Sequence, residues 1–129
     1  MNIRFVTKTV HAYLDYPVAA SLIIVPFILG VGQGNPLALW LSVATGVTAL
    51  LLTLVTDHKT GVLPLVPYVA HLWVDRLVGV TFFAAPTLLG FTGLDAAYYW
   101  VNGFAVLLVT VVLVLSIGSR LLAARLRKE

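Results

Sequence analysis

The chain has 129 residues, of which 60% are hydrophobic and only 10% are charged. Soluble domains usually carry about 25% charged residues, so this composition excludes an ordinary soluble fold. The net charge of +3 does not indicate nucleic-acid binding, because the basic residues lie at the two ends and in the middle of the chain, outside the long apolar stretches. Cysteine is absent, which excludes disulfides and thiolate metal sites.

Four apolar stretches predict transmembrane helices. They cover residues 16–31, 37–55, 77–91 and 96–117. A bilayer core needs about 20 residues per helix, so the first and third helices are expected to continue toward their N-terminal sides. Residues 3–14 and 63–74, which precede these two stretches, are predicted to be interfacial helical segments.

The first stretch has a second interpretation. Arg4 and Lys8 before it and glycines after it also fit a cleavable signal peptide. The same pattern recurs in the middle of the chain, where no signal peptidase would act. We therefore interpret the first stretch as a structural helix.

The distribution of basic residues predicts the orientation of the chain. Residues 32–36 and 92–95, which connect the first to the second and the third to the fourth stretch, contain no Lys or Arg. By the positive-inside rule, both termini and the central loop are expected in the cytoplasm.

The chain contains an internal repeat with an offset of 60 residues. It superposes His11 on His71, Asp15 on Asp75, Pro26 on Pro86, Gly30 on Gly90 and Trp40 on Trp100. Coincidence at one offset is improbable for such scarce residue types, so we interpret residues 1–59 and 60–129 as duplicated halves of a single transmembrane domain. Each half has two spans and enters the membrane in the same direction. The predicted fold is an all-α membrane protein of four transmembrane helices, arranged as two tandem parallel-repeat hairpins.

Proline and polar residues give local predictions. Asn35, followed by Pro36, is expected to cap the second helix, and Asp95 to cap the fourth. Pro26 and Pro86 are predicted to kink the first and third helices. Each kink either serves packing or acts as a hinge that exposes a backbone carbonyl to a cavity.

A polar site is predicted at the cytoplasmic boundary. His11 with Asp15, and His71 with Asp75, are four residues apart and share one helix face. Ionisable groups near the membrane core are functional candidates. Three hypotheses follow: structural anchoring with help from Arg76, proton or cation handling by the two aspartates, and haem or metal ligation by His11 and His71.

Other patterns argue against a catalytic or cofactor-binding role. His58 in the central loop is predicted to lie in a solvated turn, and no His-x-x-x-His metal pattern is present. Gly30, Gly32 and Gly34 follow a transmembrane helix rather than a strand, so a dinucleotide loop is not expected. We therefore expect no enzyme activity, no catalytic residues, no metal site and no cofactor.

The repeated unit, His-x-x-x-Asp followed by an apolar helix with a central proline and a terminal glycine, resembles the SPW-repeat family of small bacterial membrane proteins. That family is named for a Ser-Pro-Trp motif, and the matching triplets here are Val25-Pro26-Phe27 and Ala85-Pro86-Thr87, which keep only the proline. The resemblance implies the two-hairpin architecture and no particular activity.

Taken together, the sequence predicts a non-enzymatic integral membrane protein in the lipid bilayer, acting as a scaffold, an accessory subunit or a self-associating bundle. A homo-oligomer or a larger membrane complex is the expected partner. Two alternatives remain: a small proton- or cation-linked transporter or channel formed by an oligomer, and a haem- or metal-binding bundle using His11 and His71.

Overall fold

The computed structural model describes residues 8–58 and 60–128, without the side chains of Lys8, Thr9 and His11. The described chain forms four α-helices, which are α1 (Lys8–Leu29), α2 (Pro36–Val55), α3 (Tyr68–Leu89) and α4 (Gly93–Leu126). All four are long and apolar enough to cross a membrane. The chain is therefore an all-α, multi-pass membrane protein, as predicted.

The helices extend beyond the apolar stretches. Of the two predicted interfacial helical segments, residues 8–14 and 68–74 form the first turns of α1 and α3 and continue directly into the spans. The prediction is wrong for residues 63–67, which belong to the central loop, and residues 3–7 lie outside the described residues. Helix α4 has 34 residues, which corresponds to about 51 Å at 1.5 Å per residue. This exceeds a hydrocarbon core of about 30 Å. The basic segment around Arg120 and Arg125 is consequently helical and reaches beyond the membrane core.

Helices α1 and α2 pack as one hairpin and α3 and α4 as another, and the hairpins meet where α1 contacts α4 and α2 contacts α3. We call the end with the turns at residues 30–35 and 90–92 the turn end. The opposite end, with the central loop of residues 56–67, is the loop end.

The two turns have the same geometry at the repeat offset. Gly30 and Gly90 adopt left-handed backbone conformations, with φ of 75° and 70°. Each turn is closed by the same type of hydrogen bond, from Val31 N to Pro26 O at 2.9 Å and from Phe91 N to Pro86 O at 3.0 Å. Glycine is favoured at both positions because other residues are strained at such φ values.

Pro26 and Pro86 both lie inside helices, where each removes one helical hydrogen bond. In the first hairpin the carbonyl freed by Pro26 is that of Leu22, and it accepts a hydrogen bond from Ser42 Oγ on α2 at 2.8 Å. Asn102, the counterpart of Ser42, instead donates to Tyr98 O within α4 at 2.8 Å. The kinks themselves remain predictions.

Small residues bring the helices of each hairpin into close contact. A Cβ added at Gly46 would lie 2.9 Å from Ala19 O, and one added at Gly103 would lie 2.8 Å from Phe83 N. Both distances are shorter than a methyl group tolerates against backbone atoms. These glycines therefore allow α1 to approach α2, and α3 to approach α4.

The turn half of the bundle is closely packed. Its buried core consists of Leu22, Val31, Ala38, Phe82, Ala85, Phe91, Ala96, Tyr98 and Tyr99. Tyr99 Oη donates to Ala38 O at 2.6 Å, and the hydroxyls of Ser42 and Tyr98 are 2.6 Å apart. These bonds join α4 to α2, so the hairpins are held together by side chains in this half.

A buried carboxylate reinforces the turn end. Asn35 caps α2 as predicted, with Oδ1 accepting from Leu37 N at 3.1 Å. The predicted capping role of Asp95 is wrong, because Thr92 occupies the N-cap of α4. Asp95 lies in the first turn and accepts hydrogen bonds from Gly32 N at 2.7 Å and Asn35 N at 2.9 Å. It therefore clamps the second hairpin to the turn of the first.

Candidate functional site

The central loop folds back against the bundle. Thr56 and Val66 form a parallel β-bridge, and Asp57 N donates to Val66 O at 2.8 Å. Two contacts connect the loop to α1: Thr60 Oγ1 donates to the carbonyl of Ala12 at 3.0 Å, and Tyr16 Oη donates to the carbonyl of Thr60 at 2.6 Å. The loop is thus fixed between the hairpins at the loop end.

His58 lies inside this folded loop. Its side chain is 4% exposed, and Nε2 is 3.6 Å from Asp15 Oδ2. The prediction of a solvated turn is therefore wrong. The loop is held against α1 through Thr60, and this backbone arrangement turns the imidazole inward instead of toward water.

Asp15, His71 and Asp75 meet between the two hairpins. The Nε2 atom of His71 is 3.4 Å from Asp15 Oδ2 on α1 and 3.4 Å from Asp75 Oδ2 on its own helix. The His71 side chain is 2% exposed, and those of Asp15 and Asp75 are 11% and 21% exposed. The four-residue spacing correctly predicted the contact between His71 and Asp75. The two repeat-related aspartates, Asp15 and Asp75, both lie close to Nε2 of this imidazole.

Two threonine hydroxyls determine how the imidazoles face Asp15. Thr56 Oγ1 donates its only proton to Leu52 O at 2.6 Å and lies 2.7 Å from His71 Nδ1. In the Nδ1–H tautomer of His71 this hydroxyl accepts from Nδ1–H. The other ring nitrogen, Nε2, faces the two carboxylates.

The same arrangement occurs at His58. Thr60 Oγ1 donates to Ala12 O at 3.0 Å and lies 3.3 Å from His58 Nδ1. The other ring nitrogen of His58, Nε2, again faces Asp15. Both histidines consequently turn Nε2 toward one carboxylate oxygen.

The remaining predicted site residues lie away from this cluster or have side chains outside the described residues. Arg76 Cζ lies 4.8 Å from the centre of the Trp73 ring, a cation–π contact on its own helix. The side chain of His11 lies outside the described residues, and so do its predicted pairing with Asp15 and the haem site between His11 and His71. Pro26 and Pro86 belong to the turn half.

Two mainly apolar cavities border Asp75. One, of about 140 Å³, is lined by α1, α3 and α4 and also touches Asp15. The other, of about 250 Å³, lies between the first hairpin and α3. The carboxylates of Asp15 and Asp75 are the charged groups in these mainly apolar linings.

Sequence patterns alone missed His58, Thr56 and Thr60. The available signal was the placement of His58 midway between two threonines, each two residues away. No protein-family model, curated protein sequence or solved structure matches the chain. Function is therefore inferred from the geometry of the site.

Proposed function

We propose that the protein is a non-enzymatic integral membrane protein that binds a cation between its two hairpins, at the loop end. One observation carries this proposal: carboxylate oxygens of Asp15 and Asp75 both lie 3.4 Å from His71 Nε2. Two carboxylates held close together in a buried site repel each other when both are charged. A cation among them converts this repulsion into attraction.

The surroundings strengthen such binding. His71 is almost completely buried, and Asp15 is only 11% exposed. Attraction between opposite charges is stronger here than in water, because little solvent screens it. Asp15 belongs to the first hairpin and His71 to the second, so the cation would hold the hairpins together.

A structural role follows more directly than transport by a single chain. The turn half is filled by the buried core around Tyr99 and Phe82, whereas a transport path would have to cross it. We therefore propose that the cation centre stabilises a bundle that acts as a scaffold, an accessory subunit or a self-associating unit. Its proposed partners are further copies of the chain or a larger membrane complex.

The proposed location is the inner membrane of a bacterium, with the loop end and both termini in the cytoplasm. The basic residues near the termini support this orientation, because positively charged segments are retained on the cytoplasmic side. Membership of the SPW-repeat family also remains a proposal, supported by the repeated His-x-x-x-Asp and proline pattern.

The test is thermal unfolding of the full-length protein in detergent, with Na⁺, K⁺, Mg²⁺, Ca²⁺, Zn²⁺ and Co²⁺ added in turn. A cation that binds only the folded state at 100 times its Kd adds about 2.7 kcal/mol to the free energy of unfolding. We expect at least one cation to raise the Tm of the wild type. Asp15→Asn should abolish that shift.

Asp57→Asn is the matched control, because Asp57 is an exposed carboxylate in the central loop. It should keep the full shift in Tm. The proposal is wrong if no cation stabilises the wild type more than it stabilises Asp15→Asn.

A further inference from the structure

Three potential ligand atoms converge at the loop end from three different segments. They are a carboxylate oxygen of Asp15 on α1, a ring nitrogen of His58 in the central loop and a ring nitrogen of His71 on α3, and all lie within 4.8 Å of one another. We infer that these residues form a binding site for a divalent transition metal of the Zn²⁺ type. This inference rests on the proposed function and specifies its cation.

The distances suit such a metal. Tetrahedral Zn²⁺ with bonds of about 2.0–2.1 Å places its ligand atoms about 3.3–3.4 Å apart. Asp15 Oδ2 lies 3.4 Å from His71 Nε2 and 3.6 Å from His58 Nε2. These two distances between ligand atoms therefore need to change by only a few tenths of an ångström when the metal binds.

The hydroxyl groups behind the histidines supply a second argument. A metal-bound imidazole usually donates its other N–H to a nearby acceptor, which fixes the tautomer and the ring orientation. Thr56 Oγ1 accepts from His71 Nδ1 at 2.7 Å, and Thr60 Oγ1 lies 3.3 Å from His58 Nδ1. Both rings are thus oriented to offer Nε2 as a ligand.

A metal ion can use all three atoms of this arrangement together. A proton is shared by only two atoms at a time, whereas Asp15 Oδ2 lies 3.4 Å from His71 Nε2 and 3.6 Å from His58 Nε2. A divalent cation accepts electron pairs from all three atoms at once. The convergence of three donors therefore favours a metal.

The ligand types identify the class of metal. Mg²⁺ and Ca²⁺ prefer oxygen ligands, whereas imidazole nitrogen suits Zn²⁺, Co²⁺, Ni²⁺, Cu²⁺ and Fe²⁺. Two nitrogens and one carboxylate oxygen match the second group. No metal site was predicted from the sequence because its histidines lack the spacing of metal ligands on one helix. In the structure, His58 comes from a loop and His71 from a helix.

The first measurement is titration of the metal-free full-length protein with Zn²⁺ by calorimetry, with Mg²⁺ as the comparison. We expect one Zn²⁺ per chain, bound at least 100-fold more tightly than Mg²⁺. His58→Gln and His71→Gln should each weaken Zn²⁺ binding at least 100-fold. Thr60→Val keeps all three ligands and should weaken it about tenfold, since it removes only the orienting hydroxyl.

The second measurement asks directly whether position 58 contacts the metal. The natural chain contains no cysteine, so His58→Cys introduces a single thiol. With Co²⁺ as the probe, this variant should show a sulfur-to-cobalt charge-transfer band that the wild type lacks. Asp57→Cys places a thiol on the adjacent, exposed residue and should show no such band.

The possible outcomes are distinct. Zn²⁺ binding no tighter than Mg²⁺ binding, or unchanged Zn²⁺ affinity in folded His58→Gln, would overturn the metal assignment. So would a His58→Cys variant without the charge-transfer band. Stabilisation by Na⁺, K⁺, Mg²⁺ or Ca²⁺ that depends on Asp15, without Zn²⁺ or Co²⁺ binding, would retain the proposed function and reject this inference.

Discussion

Asp95 at the turn end and Asp15 at the loop end are both largely buried carboxylates that join the two hairpins. Asp95 accepts hydrogen bonds from two backbone amides, those of Gly32 and Asn35. Asp15 instead faces ring nitrogens of His58 and His71. Backbone amides are permanent donors, whereas an imidazole nitrogen can either donate a proton or bind a cation through its lone pair.

This difference separates the structural carboxylate of Asp95 from that of Asp15, which we propose as a ligand, although both lie between the hairpins. The charge of Asp95 is balanced by the backbone amides of the fold. Asp15 faces imidazole nitrogens, which the proposal makes ligands of a shared cation. Stability should depend on added cations at the loop end and be independent of them at the turn end.

The largest effect is expected for Asp95→Ala. It removes two charge-assisted hydrogen bonds and leaves two amides at the turn end without their acceptor, at an expected cost of about 3–5 kcal/mol in the free energy of unfolding. Denaturant or thermal unfolding in detergent, with and without Zn²⁺, measures it. The loss should be the same in both conditions.

Asp57→Ala is the control for Asp95→Ala, because Asp57 is exposed. Its expected effect is within about 0.5 kcal/mol. If Asp95→Ala proves as mild as this control, or if Zn²⁺ restores its stability, the contrast between the two ends is lost.

A smaller effect is expected for Gly103→Ala, which tests the close packing of α3 against α4. The new Cβ would lie 2.8 Å from Phe83 N and 3.0 Å from Gly79 O. Backbone atoms cannot rotate away, so the helices must separate, at a cost of about 2 kcal/mol. Chemical denaturation gives the value.

Gly118→Ala provides a matched comparison on the same helix. A Cβ at Gly118 would meet no atom within 4 Å, and alanine favours the helix by about 0.5–1 kcal/mol over glycine. This variant should therefore be neutral or slightly stabilised. Equal destabilisation of both variants would show that helix contact at Gly103 is not the cause.

The smallest effect is expected from adding volume in the two halves. Ala96 is 4% exposed in the turn-half core, so Ala96→Val should cost about 1 kcal/mol through overpacking. Ala105 borders the cavity beside Asp75, so Ala105→Val should change stability by less than about 0.5 kcal/mol. Unfolding midpoints compare the pair, and a larger loss for Ala105→Val would contradict the placement of Ala96 in the packed core and of the exposed Ala105 at the cavity wall.

Hydropathy and helix signals predicted the architecture because they act locally. Apolar runs of sufficient length gave all four helices, and Asn35-Pro36 gave the start of α2. The 60-residue offset identified Asp15 and Asp75 as a pair, and the structure brings them to one nitrogen of His71. Helical spacing also predicted the contact of His71 with Asp75.

Tertiary contacts decided the parts that sequence patterns missed. Asp95 lies close enough to the start of α4 to be interpreted as a cap, but its carboxylate turns toward a different hairpin. His58 occurs in a polar loop, and only the folding of that loop against α1 buries it. In both cases the partner is distant in sequence, 60 residues for Asp95 and Asn35, and no local pattern encodes it.

The position of His58 in the linker bears on the interpretation of the repeat as a duplication. Two separate, identical hairpins associating as a symmetric dimer would supply every proposed ligand twice. A single chain has a connecting segment that exists only once, and His58 belongs to it. The proposed centre is therefore asymmetric, although the two hairpins that hold it are related by the sequence repeat.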